Sequence, residues 1–112
     1  MPGPTTILEY LDSDGESPFA AWFEDIDATA AAKVTIAITR LALGNTSSVK
    51  SVGAGVLEYR IDFGPGYRIY FGRDGEKLVI LLTGGTKKRQ QRDIELAQSY
   101  WKDYKARKKG RA

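Results

Sequence analysis

The sequence predicts an α+β domain of order β-α-α-β-β-β-α, a small antiparallel-rich sheet with helices packed on it. Three observations predict it. Residues 56–83 run as three strand-like segments separated by Gly64-Pro65-Gly66 and Asp74-Gly75. Residues 17–43 place apolar side chains at helical spacing behind two capping residues. A third helical pattern opens after residue 87.

Each element follows from its residues. Thr5–Leu11 is rich in β-branched and aromatic side chains and reads as a first strand. Ser17 is placed as an N-cap with Pro18 at the first helical position. Phe19, Trp22, Phe23 and Ile26 then share one helical face. Asp27 caps a second helix running to about Leu43, striped by Val34, Ile38, Leu41 and Ala42 and stopped by Gly44. Residues 44–55 read as a Gly/Ser-rich loop.

In the next strand Leu57, Tyr59, Ile61 and Phe63 form one face, and Glu58, Arg60 and Asp62 the polar other. Gly64-Pro65-Gly66 turns the chain, because Gly tolerates positive φ and Pro presets φ. Tyr67–Arg73 returns, and the apolar run Lys77–Thr83 suits a central strand buried on both faces. A last helix over roughly Lys88–Lys108 has its seam at Ile94, Ala97, Trp101 and Tyr104. The helices are expected on one face of the sheet. Phe19, Trp22, Phe23, Ile38, Ile61, Ile69, Ile80 and Trp101 are expected in the core.

Composition narrows the function. A chain of 112 residues makes one domain, 1–112, in which 105–112 is a basic tail whose composition permits disorder. There is no cysteine and no histidine, so thiolate chemistry, imidazole catalysis and the commonest metal ligands are absent. The acids around Asp12–Glu16 lack the spacing of a helix–loop–helix calcium site. No metal or cofactor is therefore expected. No apolar run approaches membrane-spanning length and residues 1–16 lack a secretory pattern, so a cytoplasmic protein is expected. The net charge of +3 conceals a strong asymmetry. Residues 1–32 hold seven acids and no Lys or Arg, whereas residues 86–112 hold ten Lys or Arg and three acids. Such polarity points to an acidic or nucleic-acid partner at the basic end.

Two constellations carry that expectation. Arg60 and Arg68 lie on the hairpin strands. If the turn sets Phe63 opposite Tyr67, Asp62 faces Arg68 and Arg60 faces Tyr70. The pair Asp62–Arg68 is then either a structural cross-strand pair or part of a phosphate clamp. The second is Gly84-Gly85-Thr86-Lys87-Lys88-Arg89, followed by Arg92. Cations in the first turn of a helix oppose the macrodipole unless an anion sits there. It is not a phosphate-binding loop of the Gly-Lys-Ser/Thr kind.

With these residues, VGAGVLEYRIDFGPGYRIYF and ILLTGGTKKRQQRDIELAQSYW resemble the phage-derived Gp49-like, or HigB-type, addiction module killer proteins of the RelE/ParE toxin superfamily. The resemblance covers about residues 5–105. It implies a compact RelE-like fold, a cognate antitoxin (often a small helix-turn-helix protein) bound over the basic face, and ribosome-dependent mRNA cleavage. It maps Arg68 to the arginine on the scissile phosphate, Arg60 to a catalytic lysine and Lys87 to a second charge-stabilising residue. Lys88, Arg89, Arg92 and Tyr70 are expected as accompanying RNA and phosphate contacts. The chain departs from the pattern at Asp62, where the relatives have a second lysine, and at Asp93, where they have a stacking tyrosine. The implied chemistry is attack of an RNA 2′-OH on the adjacent phosphate without a metal, with Asp62 or Lys87 as general base. The alternatives are a gyrase-binding toxin of the ParE kind and a catalytically weakened domain that only binds antitoxin or RNA.

Overall fold

A computed structural model describes residues 5–110. The elements are β1 (Thr6–Glu9), α1 (Pro18–Asp25), α2 (Ala28–Ala42), β2 (Val49–Ser51), β3 (Leu57–Ile61), β4 (Tyr67–Arg73), β5 (Leu78–Thr86), a 3₁₀ turn (Lys87–Arg89) and α3 (Gln90–Lys109). They form the expected α+β fold, a five-stranded sheet of order β1-β5-β4-β3-β2 with three helices packed on it. All neighbours are antiparallel except β1, which runs parallel to β5 at one edge.

The helix starts are those the capping residues dictate. Ser17 Oγ accepts from the Ala20 N–H at 3.0 Å, and Asp27 Oδ1 accepts from the Ala30 N–H at 2.8 Å. Each satisfies a donor that the first turn leaves orphaned. Asp12 acts likewise in its turn, where Oδ1 accepts from the Asp14 and Glu16 N–H groups at 2.9 and 3.0 Å. That carboxylate holds the backbone.

The three layers differ from the expected two. Phe19, Val34, Ala37 and Leu41 of α1 and α2 pack on Tyr59, Ile69, Phe71, Val79 and Leu81. On the opposite face Ala97 and Trp101 of α3 pack on Val56, Tyr70, Ile80 and Leu82. The helices therefore do not share one face. Gly84 and Gly85 show why. Successive strand residues point to opposite faces. A Cβ on Gly84 would overlap the Trp22 ring from α1, and one on Gly85 would overlap the Asp93 carboxyl from α3. Two adjacent glycines let both layers approach the end of β5 closely. With a helix on each side, the strand is buried from Val79 to Gly85, as its unbroken apolar run requires.

A second difference lies in residues 44–55, expected as loop only. Val49–Ser51 forms the edge strand β2 on β3. Three residues are too few to carry a strand period. Phe19, Ile69, Ile80 and Trp101 are buried as expected, whereas Trp22, Phe23, Ile38 and Ile61 are half-buried around the first core. α3 continues through Lys109, so residues 105–109 of the basic tail are helical, and residues 111–112 lie outside the described ones. Among the described residues no helix is long and apolar enough to cross a membrane.

Candidate functional site

The hairpin sets the geometry of the site. Ile61 pairs with Tyr67, so residues 62–66 form the loop, with Gly64 and Gly66 at φ of 55° and 80°. Both values lie in the left-handed region that glycine enters without strain. The expected closure at Phe63 and Tyr67 is off by two residues. Arg60 consequently faces Arg68, and Glu58 faces Tyr70. Asp62 does not pair with Arg68. It stands 3.8 Å from Arg60 Nε and is 87% exposed.

Two arginines directly opposed repel, and each is relieved by a different carboxylate. Arg60 is at the surface with Asp62. Arg68, only 5% exposed, lies inside with Glu58, which is fully buried. Arg68 Nε is 3.5 Å from Glu58 Oε2. The same oxygen accepts from Gln90 Nε2 at 3.0 Å, and Lys50 Nζ lies 3.7 Å from Oε1. Lys50 is opposite Glu58 in the β2–β3 ladder. Tyr70 is wholly buried beside them, and burial, reinforced by the Glu58 carboxylate, pushes its hydroxyl well above the ordinary phenol value. Its ring thus belongs to the second core and presents no face to a nucleic-acid base, contrary to its expected place among the RNA contacts.

The 3₁₀ turn is pinned to the hairpin. The Lys87 N–H donates to Gly66 O at 2.9 Å, and Arg68 Nη1 donates to the same carbonyl at 3.4 Å. A Cβ on Gly66 would lie 3.5 Å from both Arg68 Nη1 and Lys87 Cβ. Gly66 is thus the point where Arg68 and Lys87 meet. Lys87, Lys88, Arg89 and Arg92 are exposed. The lysines stand in the 3₁₀ turn, ahead of α3. The first turn of α3 holds Asp93, so the helix start already has an acid to complement its dipole. Burial raises the Asp93 carboxyl above the ordinary range, opposed by Arg92 and Arg89.

Arg60, Arg68 and Lys87 therefore converge on the hairpin end of the sheet, with Lys88, Arg89 and Arg92 on the adjoining turn. A polar cleft of about 290 Å³ beside them is lined by residues including Ser48, Lys50, Glu58, Arg60 and Asp62. Glu58, Lys50 and Gln90 were not singled out from the sequence. Glu58 alternates with Leu57 and Tyr59 like any solvent-facing acid. No local signal marks its burial, which follows from the hairpin register that sets it opposite Tyr70 and beside Arg68 and from α3 covering that face. Among the described residues no cluster of carboxylates is arranged to hold a metal ion.

A protein of Haemophilus influenzae described as uncharacterized is 43% identical over 81 residues, covering 71% of this chain and 82% of that protein. Residues 21–102, from α1 to the Trp101 turn of α3, match the family described as phage derived protein Gp49-like (DUF891). That span includes both hairpin strands, the Gly84-Gly85 junction and the cationic turn, so the chain belongs to the Gp49-like family, which is associated with toxin–antitoxin modules.

Proposed function

We propose that this protein is the toxin of a type II toxin–antitoxin module, of the HigB kind within the RelE/ParE superfamily, and that it cleaves mRNA on the ribosome in the cytoplasm. The observation that carries the reading is that Arg68 and Lys87 meet at Gly66 and that Arg60 stands opposite Arg68 in the β3–β4 ladder. Three cations held by strand pairing and a backbone hydrogen bond form a preorganised site for negative charge. In the proposed reaction the RNA 2′-oxygen attacks the adjacent phosphorus and the bond to the 5′-oxygen breaks. The products are a cyclic 2′,3′-phosphate and a 5′-hydroxyl. Asp62, exposed beside Arg60, takes the 2′-OH proton. Lys87 returns a proton to the leaving oxygen. Arg60 stabilises the equatorial charge from the surface. Arg68 reaches the phosphate from behind through its Nη edge while Glu58 holds Nε. A cognate antitoxin, a small helix-turn-helix protein, neutralises the toxin by covering the basic face.

The departure of Tyr70 into the core and the engagement of Arg68 by Glu58 favour one second reading, a domain that binds RNA or antitoxin without cutting. Induction of the wild type and of Arg60→Ala and Lys87→Ala in cells, followed by mRNA 5′-end mapping, separates the two. Cleavage by the wild type and its loss in both exposed-residue variants supports the nuclease. Growth arrest with intact mRNA overturns it.

A further inference from the structure

We propose that the cleft over the paired strands β2 and β3 is a nucleobase subsite and that the base it reads is guanine. The proposal rests on the RNA-binding part of the reading above, not on cleavage. Glu58 forms the floor of the cleft. Its Oε2 accepts from Gln90 and stands 3.5 Å from Arg68 Nε, whereas Oε1, like the neighbouring Tyr70 hydroxyl, makes no hydrogen bond. A buried carboxylate oxygen with free lone pairs calls for an N–H donor. Lys50 Nζ stands over it at 3.7 Å, beyond hydrogen-bonding distance, on a side chain that is 60% exposed. Its flexible four-carbon stem can swing off and open the oxygen to a ligand.

The rim supplies the opposite polarity. Arg60 is half-exposed at the mouth, with Asp62 beside it, and the Ser48 carbonyl holds the Arg60 backbone N–H at 3.2 Å. The floor therefore accepts hydrogen bonds, and at the rim Arg60 and Lys50 donate them while Asp62 accepts. Guanine offers that pair of edges, with N1–H and the 2-amino group as donors and O6 and N7 as acceptors. Arginine and lysine are common partners of those acceptors. Uracil has no amino group. Adenine and cytosine present an amino group where guanine presents O6, which would meet the Arg60 and Lys50 cations. The cleft, about 290 Å³, is at the small end of ligand sites and suits one planar base. A site that would leave a buried acceptor unpaired discriminates strongly against the wrong base.

The test is amide chemical-shift titration of the ¹⁵N-labelled full chain with GMP, IMP, AMP, CMP and UMP. GMP is expected to shift Ser48–Ser51 and Glu58–Asp62 saturably. IMP, which differs from GMP by lacking the 2-amino group, should bind about tenfold more weakly, the loss of one hydrogen bond to a charged acceptor. In Glu58→Gln the two should bind alike. If that variant unfolds, its spectrum reveals it, and the GMP/IMP ratio in the wild type decides. A parallel titration with the RNA pentamers UUGUU and UUUUU identifies the source of the base. UUGUU binding more tightly than both GMP and UUUUU assigns guanine within RNA, and UUGUU no tighter than GMP assigns a free guanine nucleotide. Equal affinities for GMP and IMP, two pentamers that bind equally and both more tightly than GMP, or shifts confined to residues 87–92 would overturn the proposal. Guanine binding without mRNA cleavage in cells would sink the nuclease reading alone. Cleavage with no base preference in binding would sink the subsite alone.

Discussion

Glu58 and Arg68 form an ion pair inside the protein, Oε2 to Nε at 3.5 Å, on the face of the sheet that α3 covers. The arginine expected to hold a phosphate is thus already held by a carboxylate. An anion must share the guanidinium with Glu58 or displace it. This pair also makes the fold depend on residues that belong to the candidate site.

Removing Glu58 should be severe. Glu58→Ala leaves Arg68 buried without its carboxylate and should cost about 3–5 kcal/mol in urea unfolding. Arg68→Ala should cost less, because Lys50 and Gln90 still face Glu58. Replacing both by apolar residues, Glu58→Leu with Arg68→Met, should recover most of the loss. An additive double variant would show that the pair is not the source of the effect.

The two glycines at the end of β5 should respond unequally to alanine. Gly84→Ala drives a methyl into the ring of Trp22 on α1, which also packs against Tyr67. Gly85→Ala meets the end of the Asp93 side chain, which has more freedom to turn away. Thermal melts should show a loss of about 1–3 kcal/mol or more for Gly84→Ala, the range for an overpacked core, and a smaller loss for Gly85→Ala. The reverse order would refute the two-sided packing.

Acid should weaken the attachment of α3. Hydrogen bonds from Arg107 and then Tyr10 hold Asp103 below the ordinary carboxylate range, and Lys108 and then Tyr104 do the same for Asp74. A depressed folded value gives stability that is present above the unfolded value and lost as pH falls through the folded one. Asp93 has the opposite sign. Its raised value gives stability at low pH that is lost as pH rises through it. Urea midpoints from pH 7 to pH 3 should therefore fall less steeply in Asp103→Asn and Asp74→Asn. Asp93→Asn should raise the midpoint at pH 7. At the other end of the scale, burial and the Asp103 hydrogen bond push the Tyr10 hydroxyl up to about 12, so it should stay protonated when exposed tyrosines ionise. Ultraviolet titration checks this.

Polyanion binding should distinguish the hairpin end from the far end of α3. For single-stranded RNA each neutralised phosphate contact contributes about 0.7 to the slope of log affinity against log salt. Arg60→Gln and Lys87→Gln should each reduce the slope by about that amount. Lys109→Gln, at the last residue of α3, should leave it unchanged. Equal effects at all three positions would mean that the charge acts without a site.

The local elements of this protein are determined by short-range chemistry that its sequence displays. The Ser17 and Asp27 caps, the Gly44 stop, the alternation through β3 and the unbroken apolar run of β5 depend on neighbours a few residues away, and each forms where its residues require. Arg60, Arg68 and Lys87 were legible as a group for the same reason, since one hairpin and one junction carry them. Three things depended on tertiary structure. A two-residue difference in hairpin closure exchanged Asp62 for Glu58 as the partner of Arg68, and no local pattern separates those registers, because both keep the same residues on the same face. The side of the sheet on which α3 lies follows from packing Trp101 over Gly72 and Asp93 over Gly85, contacts between residues distant along the chain. The burial of Glu58 and Tyr70 follows from that choice of side, since only a helix laid over their face turns a polar strand surface into an interior.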